Sequence, residues 1–519
     1  MHATFRVQIA SVLFLSCIGV LLGARLNAPS ALQRFDQPKT VSYTADILVN
    51  GRWLLPRDML GHPATKPPLV NWMAAPVVAL GFWTELAVKW PMMLGTIITA
   101  ALAVRMAHRL FRKIPETREM AQGAACVAGI ACVVNSPNLT MIYHCRPDPV
   151  LVAFLTLAWI LGTKIVCDRE PANALEQPLQ NQPSPGASRP PLPSRERIEV
   201  RVSHSPRVSI VAAFWIAVGL AALTKGPAAL VPIIYLPLAA RLIGGRWSLV
   251  QRSRWWWGLL LALGIFCAWA VPTALRYPDP FFRVLIGKQL IAPALGMGEQ
   301  FGATQFTSRG PIVALELIWE NPKWFLERFA PWSLVSIGGL CVIGWRRWFR
   351  HPLAPAVLWT FLVLAFFALS AHKTADYILP AYPAAAILAA YFCATFLNRF
   401  RIRLWQVALA GLLLAIGLTF GLSRDPAGDN LKIFARDAGA IVRDDPVVFV
   451  DTGFNTLQFF LHRHQGGDPT PEQIERAKWV IMPVLPDVDP ELRSQLVPRI
   501  QEKRFVLGLY RIETVRARL

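Results

Sequence analysis

Charge is what this chain has least of, and acidic charge least of all. Of its 519 residues, 16% are Asp, Glu, Lys or Arg, against about one quarter in a soluble globular chain. The 32 acids are outnumbered by 53 Lys and Arg. So few charges cannot cover a water-facing surface, and a wholly soluble fold is excluded. No Cys lies beyond Cys393, and no two Cys have metal-site spacing, which argues against a cysteine-held metal. Cys17, Cys126, Cys132, Cys267, Cys341 and Cys393 fall within apolar segments and read as small core residues. A glycine-rich phosphate loop is missing, and with it the usual signature of a nucleotide substrate. There is no internal repeat of the kind common in secondary transporters.

What the chain does have is apolar residues, 54% of the total, gathered in blocks of roughly 17 to 21, the length that crosses a hydrocarbon core of about 30 Å. They predict a polytopic α-helical membrane protein of about eleven spans: 7–24, 88–107, 121–140, 150–166, 208–224, 227–240, 255–275, 328–344, 353–370, 377–397 and 404–422. With a cytoplasmic N-terminus, the cytoplasmic loops are 108–120, 167–207, 241–254, 345–352 and 398–403, and all five are basic, as the positive-inside rule requires. The net charge of +21 therefore reports membrane topology rather than nucleic-acid binding. Trp53, Trp83, Trp90, Trp255, Trp256, Trp257, Trp332, Trp345 and Trp348 stand at block ends, where indole rings anchor at the interface.

Three segments need separate treatment. Val7–Gly23 reads as an uncleaved first span, because Arg25 and Leu26 make a poor signal-peptide cleavage site. Residues 68–84 are apolar enough to span, yet spanning would turn every basic loop outward, so they are expected to be interfacial or re-entrant, interrupted by Pro76. Residues 171–207, rich in Pro, Ser and Gln, read as a disordered cytoplasmic linker. The membrane part is then 1–422. The charged tail 423–519 is expected to be a small external α/β domain, with strands in "PVVFVDTG", "KWVIMPV" and "FVLGLYRIE" and a helix over "DPELRSQLVPRIQEK".

The external loops gather the polar candidates. Asp36 and Lys66 lie in the first, and Asp148 in the short second. Lys225 is in "LTKGPAAL" between two apolar halves, and His372, Lys373 and Asp376 are in "SAHKTADYILP". A charge held near membrane depth costs about 2.5–3.5 kcal/mol well inside a span and is a functional-site hypothesis by default. Lysines suit a phosphate as compact point charges; carboxylates suit general-base work or a divalent cation bridging a phosphate. Each residue also has a structural reading. The lysines could snorkel to water, Asp36 and Asp148 could be helix N-caps, and His62 and His372 could be surface or packing groups. Clustering at one boundary, rather than at mid-depth, argues against the alternative of a transporter or flippase of a lipid-linked substrate.

At these residues the chain resembles the polyprenyl-phosphate-sugar glycosyltransferases of the aminoarabinose–lipid A transferase and protein O-mannosyltransferase group, over roughly residues 1–422. That group's first loop carries Asp-Glu-x-Arg, then Gly-Asp-Trp with a following Pro, then Glu-Lys-Pro-Pro. The counterparts are Asp36-Gln37-Pro38-Lys39, Gly51-Arg52-Trp53 with Pro56, and Thr65-Lys66-Pro67-Pro68. Asp148-Pro149, Thr224-Lys225-Gly226-Pro227, and Lys373 with Tyr377, Leu379 and Pro380 follow in the group's order. Gln37, Lys39 and Thr65 depart from the pattern, and 284–293 lack the Glu-His and Arg of the lipid A enzymes. The resemblance implies a GT-C-like fold in the cell (inner) membrane and inverting transfer from a polyprenyl-phosphate sugar to a lipid, glycan or protein acceptor. Asp36 would be the base and Asp148 a second carboxylate. Lys66, Lys225, Lys39, Lys373 and Tyr377 would bind the lipid phosphate or sugar. A divalent cation is the one cofactor it suggests.

Overall fold

The computed structural model describes residues 2–26, 32, 37–141, 144–167, 208–295, 317–400, 402–420, 426–452, 456–493, 497–498 and 504–519. Asp36, the segment 171–207 and the expected domain boundary at 422 lie outside the described residues. The helices run α1 (His2–Leu26), α2 (Gln37–Asn50), α3 (Leu69–Ala79), α4 (Glu85–Phe111), α5 (Ala121–Val133), α6 (Ser136–Met141), α7 (Asp148–Cys167), α8 (Val208–Lys225) and α9 (Leu230–Leu242). Then follow α10 (Trp255–Arg276), α11 (Ala292–Leu295), α12 (Glu320–Arg328), α13 (Trp332–Ile343), α14 (Ala354–Ala368), α15 (Tyr382–Thr395) and α16 (Leu404–Phe420).

Among the described residues every expected span contains a helix, with breaks at 134–135 and 329–331. By length and composition α4, α7, α10 and the runs Val208–Leu242 and Ala375–Thr395 can each cross a bilayer, and α12 with α13 forms a sixth candidate bent by 108°. Shorter apolar stretches lie in α1, α5, α14 and α16. The bundle is fully helical because a hydrocarbon solvent leaves backbone groups no partner but each other. α3 has 11 residues, about 16 Å of helix, and a turn at Gly81 separates it from α4. Trp332 departs from the interfacial expectation: it is buried, and its indole N–H donates to the Val134 carbonyl at 2.7 Å.

Two details of packing place the site. Val208–Leu242 is not one straight rod. Phe214 of α8 and Tyr235 and Leu236 of α9 all close on Gly162 near the end of α7, whereas Lys225 meets Asp148 at the beginning of α7. The two limbs are therefore a hairpin laid along α7, with Lys225 at its tip and Gly226 turning the chain at φ +64°. At the same end, a Cβ on Gly95 of α4 would lie 2.8 Å from the Pro149 carbonyl. Glycine lets α4 and the start of α7 touch backbone to backbone, and this contact seats Asp148.

After α16 the chain forms α17 (Pro426–Val442), α18 (Leu457–Phe460), α19 (Pro471–Arg476) and six short strands: β1 (Val447–Phe449), β2 (Trp479–Pro483), β3 (Leu492–Arg493), β4 (Val497–Pro498), β5 (Arg504–Phe505) and β6 (Leu507–Arg511). One sheet has the order β1-β2-β6-β3, parallel at β1–β2 and otherwise antiparallel. Phe434, Ala438 and Val442 of the amphipathic α17 cover one face with Phe449, Ile481 and Leu509, while Val448, Val480 and Tyr510 point into a second small core. The helix expected over "DPELRSQLVPRIQEK" is not formed among the described residues. Leu492 instead packs against the first core, and the Glu491 amide donates to the Leu509 carbonyl at 2.8 Å. Pro498 would also break a helix interior.

This tail sits directly on the loop end of the bundle. Phe459 is buried among Val41, Ala45, Val70, Ala74 and Met92. Trp83 stacks on His462 at 4.8 Å between centroids, and Lys432 of α17 pairs with Glu85 at the start of α4.

Candidate functional site

The site is built around a buried carboxylate. Asp148 opens α7, and its Oδ1 accepts a hydrogen bond from Lys225 Nζ at 2.5 Å. The side chains are 3% and 16% exposed. Arg146, two residues upstream, brings Nε to 3.7 Å from Asp148 Oδ2 and donates through Nη1 to Asp376 Oδ2 at 2.6 Å. Tyr377 follows Asp376, and Lys225 Nζ lies 5.1 Å from the centre of its ring. Buried charges persist when paired and hydrogen-bonded, and here pairing joins three separate elements. Lys66 lies within electrostatic range of the same carboxylate. Of the residues singled out in the sequence, Asp148, Lys225, Tyr377 and Lys66 thus come together. Asp148 does more than cap a helix, since its carboxylate holds the hairpin tip.

Two cavities meet at this cluster. One, of about 360 Å³, runs between apolar side chains including Leu151, Phe266, Trp269, Phe281 and Leu285. The other, of about 280 Å³, is polar and is lined by Lys39, Thr40, Tyr43, Asn71, Arg146 and His372 among others. They share a wall: Thr65, Lys66, Pro67, Lys225, Gln289 and Tyr377 line both. Gln289 comes from Pro280–Ile291, which winds as a π-helix. Such wide turns are rare and recur at functional sites.

The first loop forms the floor of the polar cavity. Asn71 of α3 donates to the Thr40 carbonyl at 2.6 Å and to Thr44 Oγ1 at 2.9 Å, tying α3 to α2. Gln37 Oε1 accepts from the Cys145 amide at 3.2 Å, which ties the start of α2 to the loop that carries Asp148. The residue that replaces an acid in the family motif is thus a structural link.

Lys373 is placed differently from its sequence assignment. Its Nζ donates to the carbonyls of Ala368 and Ser370 at 2.6 and 2.9 Å, and it lines neither cavity. It neutralises the carbonyl-rich end of α14. His372, first read as a surface or packing group, lines the polar cavity instead, and burial pushes its imidazolium pKa down. Arg146 escaped the sequence reading, although an Arg placed against the positive-inside bias in "HCRPDP" was a signal; its partner Asp376 was named there among the loop candidates but given no role. Among the described residues, which leave out Asp36, the donor set does not fit a divalent cation. Asp148 and Asp376 are each engaged by cationic side chains, and no three His, Cys, Asp or Glu converge among the described residues.

No protein-family model matches the chain, and no curated protein sequence matches it. Solved structures do. ArnT from Cupriavidus metallidurans bound to undecaprenyl phosphate matches with a TM-score of 0.66 at 16% identity, covering 98% of each chain. The apo form of the same ArnT gives 0.63 at 17% identity, over 96% of this chain and 97% of that one. The archaeal oligosaccharyltransferase AglB from Archaeoglobus fulgidus, in complex with an inhibitory peptide and a dolichol-phosphate, gives 0.50 at 12% identity, over 92% of this chain and 69% of its own. The chain therefore has the GT-C fold of ArnT, in a match that covers 98% of it, as the resemblance of its motifs implied.

Proposed function

We propose that this protein is an integral membrane glycosyltransferase that moves a sugar from a polyprenyl-phosphate donor to a lipid, glycan or protein acceptor. The observation that carries the reading is the shared wall of the two cavities. An apolar channel meets a polar chamber across Lys66, Lys225 and Tyr377. A polyprenyl-phosphate sugar has that polarity: an isoprenoid tail, an anionic phosphate and a hydroxylated ring. The binding of undecaprenyl phosphate by ArnT, which shares the fold, supports the same ligand class here.

In the step so implied, an acceptor oxygen attacks the anomeric carbon and the bond to the phosphate oxygen breaks. The polyprenyl phosphate leaves with the bonding pair, and the configuration inverts. Lys66 and Lys225 would neutralise the charge growing on that phosphate, and Lys39 would reach the sugar or acceptor from the polar side. Asp148 holds Lys225 and Arg146, which makes it a poor proton acceptor and a good organiser of the cations. The base role goes to Asp36 through its place in the motif. The site end of the bundle, with the domain 423–519, would be external and the basic loops cytoplasmic, given the charge bias.

The test is release of undecaprenyl phosphate, followed by mass spectrometry. Purified protein in nanodiscs would be given undecaprenyl-phosphate mannose, glucose or aminoarabinose together with an outer-membrane lipid extract. Acceptor-dependent release from one donor, lost in Lys66→Met, is the expected result. No release from any donor, together with no binding of undecaprenyl phosphate, would sink the reading.

A further inference from the structure

We infer that His464, supplied by the C-terminal domain, is a positioning residue for the polar cavity, acting through α2. The inference rests on the glycosyltransferase reading of that cavity. α2 carries Lys39, Thr40 and Tyr43 into the cavity wall. The neighbouring row of the same helix is Ser42, Asp46 and Asn50, four residues apart and so stacked along one stripe. His464 meets all three. Its Nε2 is 3.1 Å from Ser42 Oγ, its Nδ1 is 3.2 Å from Asp46 Oδ1, and Asn50 Nδ2 donates to its carbonyl at 3.4 Å.

The contact is buried and built from both sides. The side chains of His464 and Asp46 are 1% and 0% exposed. Asp46 Oδ1 also accepts from Asn50 Nδ2 at 2.7 Å and Arg52 Nη1 at 3.1 Å, and Oδ2 accepts from the Arg57 amide at 2.6 Å. The tail closes over this junction at a second point, where the Gly467 amide donates to the Met59 carbonyl at 2.9 Å. A neutral imidazole with its proton on Nδ1 donates to Asp46 and accepts from the Ser42 hydroxyl, so one tautomer satisfies both bonds. On this side α2 is also held through Asp46 by Arg52 and the Arg57 amide and through Val41 and Ala45 against Phe459, but the Ser42 hydroxyl, one turn from Lys39 and next to Tyr43, meets the tail through His464. Losing the imidazole should therefore let the helix turn and displace Lys39 and Tyr43, without touching Lys225 or the apolar cavity.

The experiment compares His464→Ala, His464→Asn and Ser42→Ala in full-length protein in nanodiscs. The readouts are the affinity for undecaprenyl phosphate, hydrogen exchange of the α2 amides, and turnover of undecaprenyl-phosphate mannose (or whichever tested donor is active) with graded outer-membrane lipid extract. His464→Ala should keep undecaprenyl phosphate affinity within about two-fold, deprotect the α2 amides at least ten-fold and raise the half-saturating extract concentration about ten-fold. Asn places an amide near the Nδ1 position and should recover most of both losses. Unchanged α2 exchange in His464→Ala would overturn the inference, as would equal loss of donor affinity and extract saturation. If that variant does not fold, Ser42→Ala carries the test: a few-fold shift in extract saturation supports the inference and none overturns it. A wild-type protein inactive with every donor would fail the glycosyltransferase reading alone, because the exchange measurement still decides whether His464 holds α2.

Discussion

Replacing Lys225 by Met separates a phosphate-binding lysine from a mere counterion. The change keeps the stem and removes the charge. Asp148, 3% exposed in its side chain, would be left with Arg146 at 3.7 Å. Removing one partner of a buried ion pair typically costs about 3–5 kcal/mol, because the other charge stays buried and uncompensated. Neutralising both in Asp148→Asn/Lys225→Met should return part of that loss. Ligand affinity follows a different rule. A hydrogen bond to a charged group contributes about 1.5–3 kcal/mol, so losing one to the lipid phosphate should raise the Kd about ten- to a hundred-fold. That weakening should persist in the double variant, whatever the stability does. Asp148→Asn alone frees Lys225 from its partner and should hold or tighten binding. Titration of undecaprenyl phosphate into nanodiscs, with thermal unfolding measured on the same samples, reads both quantities. If Lys225→Met loses stability, the double variant regains it and the Kd never moves, then Lys225 serves only Asp148 and the phosphate assignment is wrong.

Three further outcomes are expected. Lys373→Met should leave the undecaprenyl phosphate Kd within about two-fold, since that ammonium is spent on the Ala368 and Ser370 carbonyls; a ten-fold loss in titration would return it to the site. Asp36→Asn should keep donor binding and slow transfer by roughly 10²- to 10⁴-fold, the usual contribution of a general base, and normal turnover would remove Asp36 from that role. Burial pushes the His464 imidazolium pKa down, against the pull of Asp46, so the unfolded chain takes up its proton first as pH falls. The stability held above the ordinary histidine value of about 6.5 is then lost on the acid side, and the pH 7 to pH 5 drop in melting temperature should flatten in His464→Asn.

The sequence carried the membrane fold well, because span length and loop charge are both local properties. The apolar blocks became helices among the described residues, and 68–84 holds only the short α3. Lys225 and Asp148 were legible because charges beside apolar blocks at one membrane boundary stand out together, although each alone also had a structural reading. Lys373 fitted the motif equally well, yet its two hydrogen bonds back to the end of α14 depend on how Ser370–Thr374 turns, which no periodicity encodes. Arg146 and Asp376 are 230 positions apart, and nothing in either segment names the other.

The same limit explains why the tail looked separate. Its strands announced an independent core, and "PVVFVDTG", "KWVIMPV" and "FVLGLYRIE" did form it. The residues that dock it onto the membrane part announced nothing: His464 sits in "HRHQGG", a polar stretch that reads as an exposed loop. Asp46 is satisfied in part by its neighbours Asn50, Arg52 and the Arg57 amide, but its contact with His464 belongs to the assembled pair and appears in neither segment. A polar residue buried by a contact 418 positions away is the kind of feature that follows from assembly of the two parts, and the chamber wall formed by α2 depends on it.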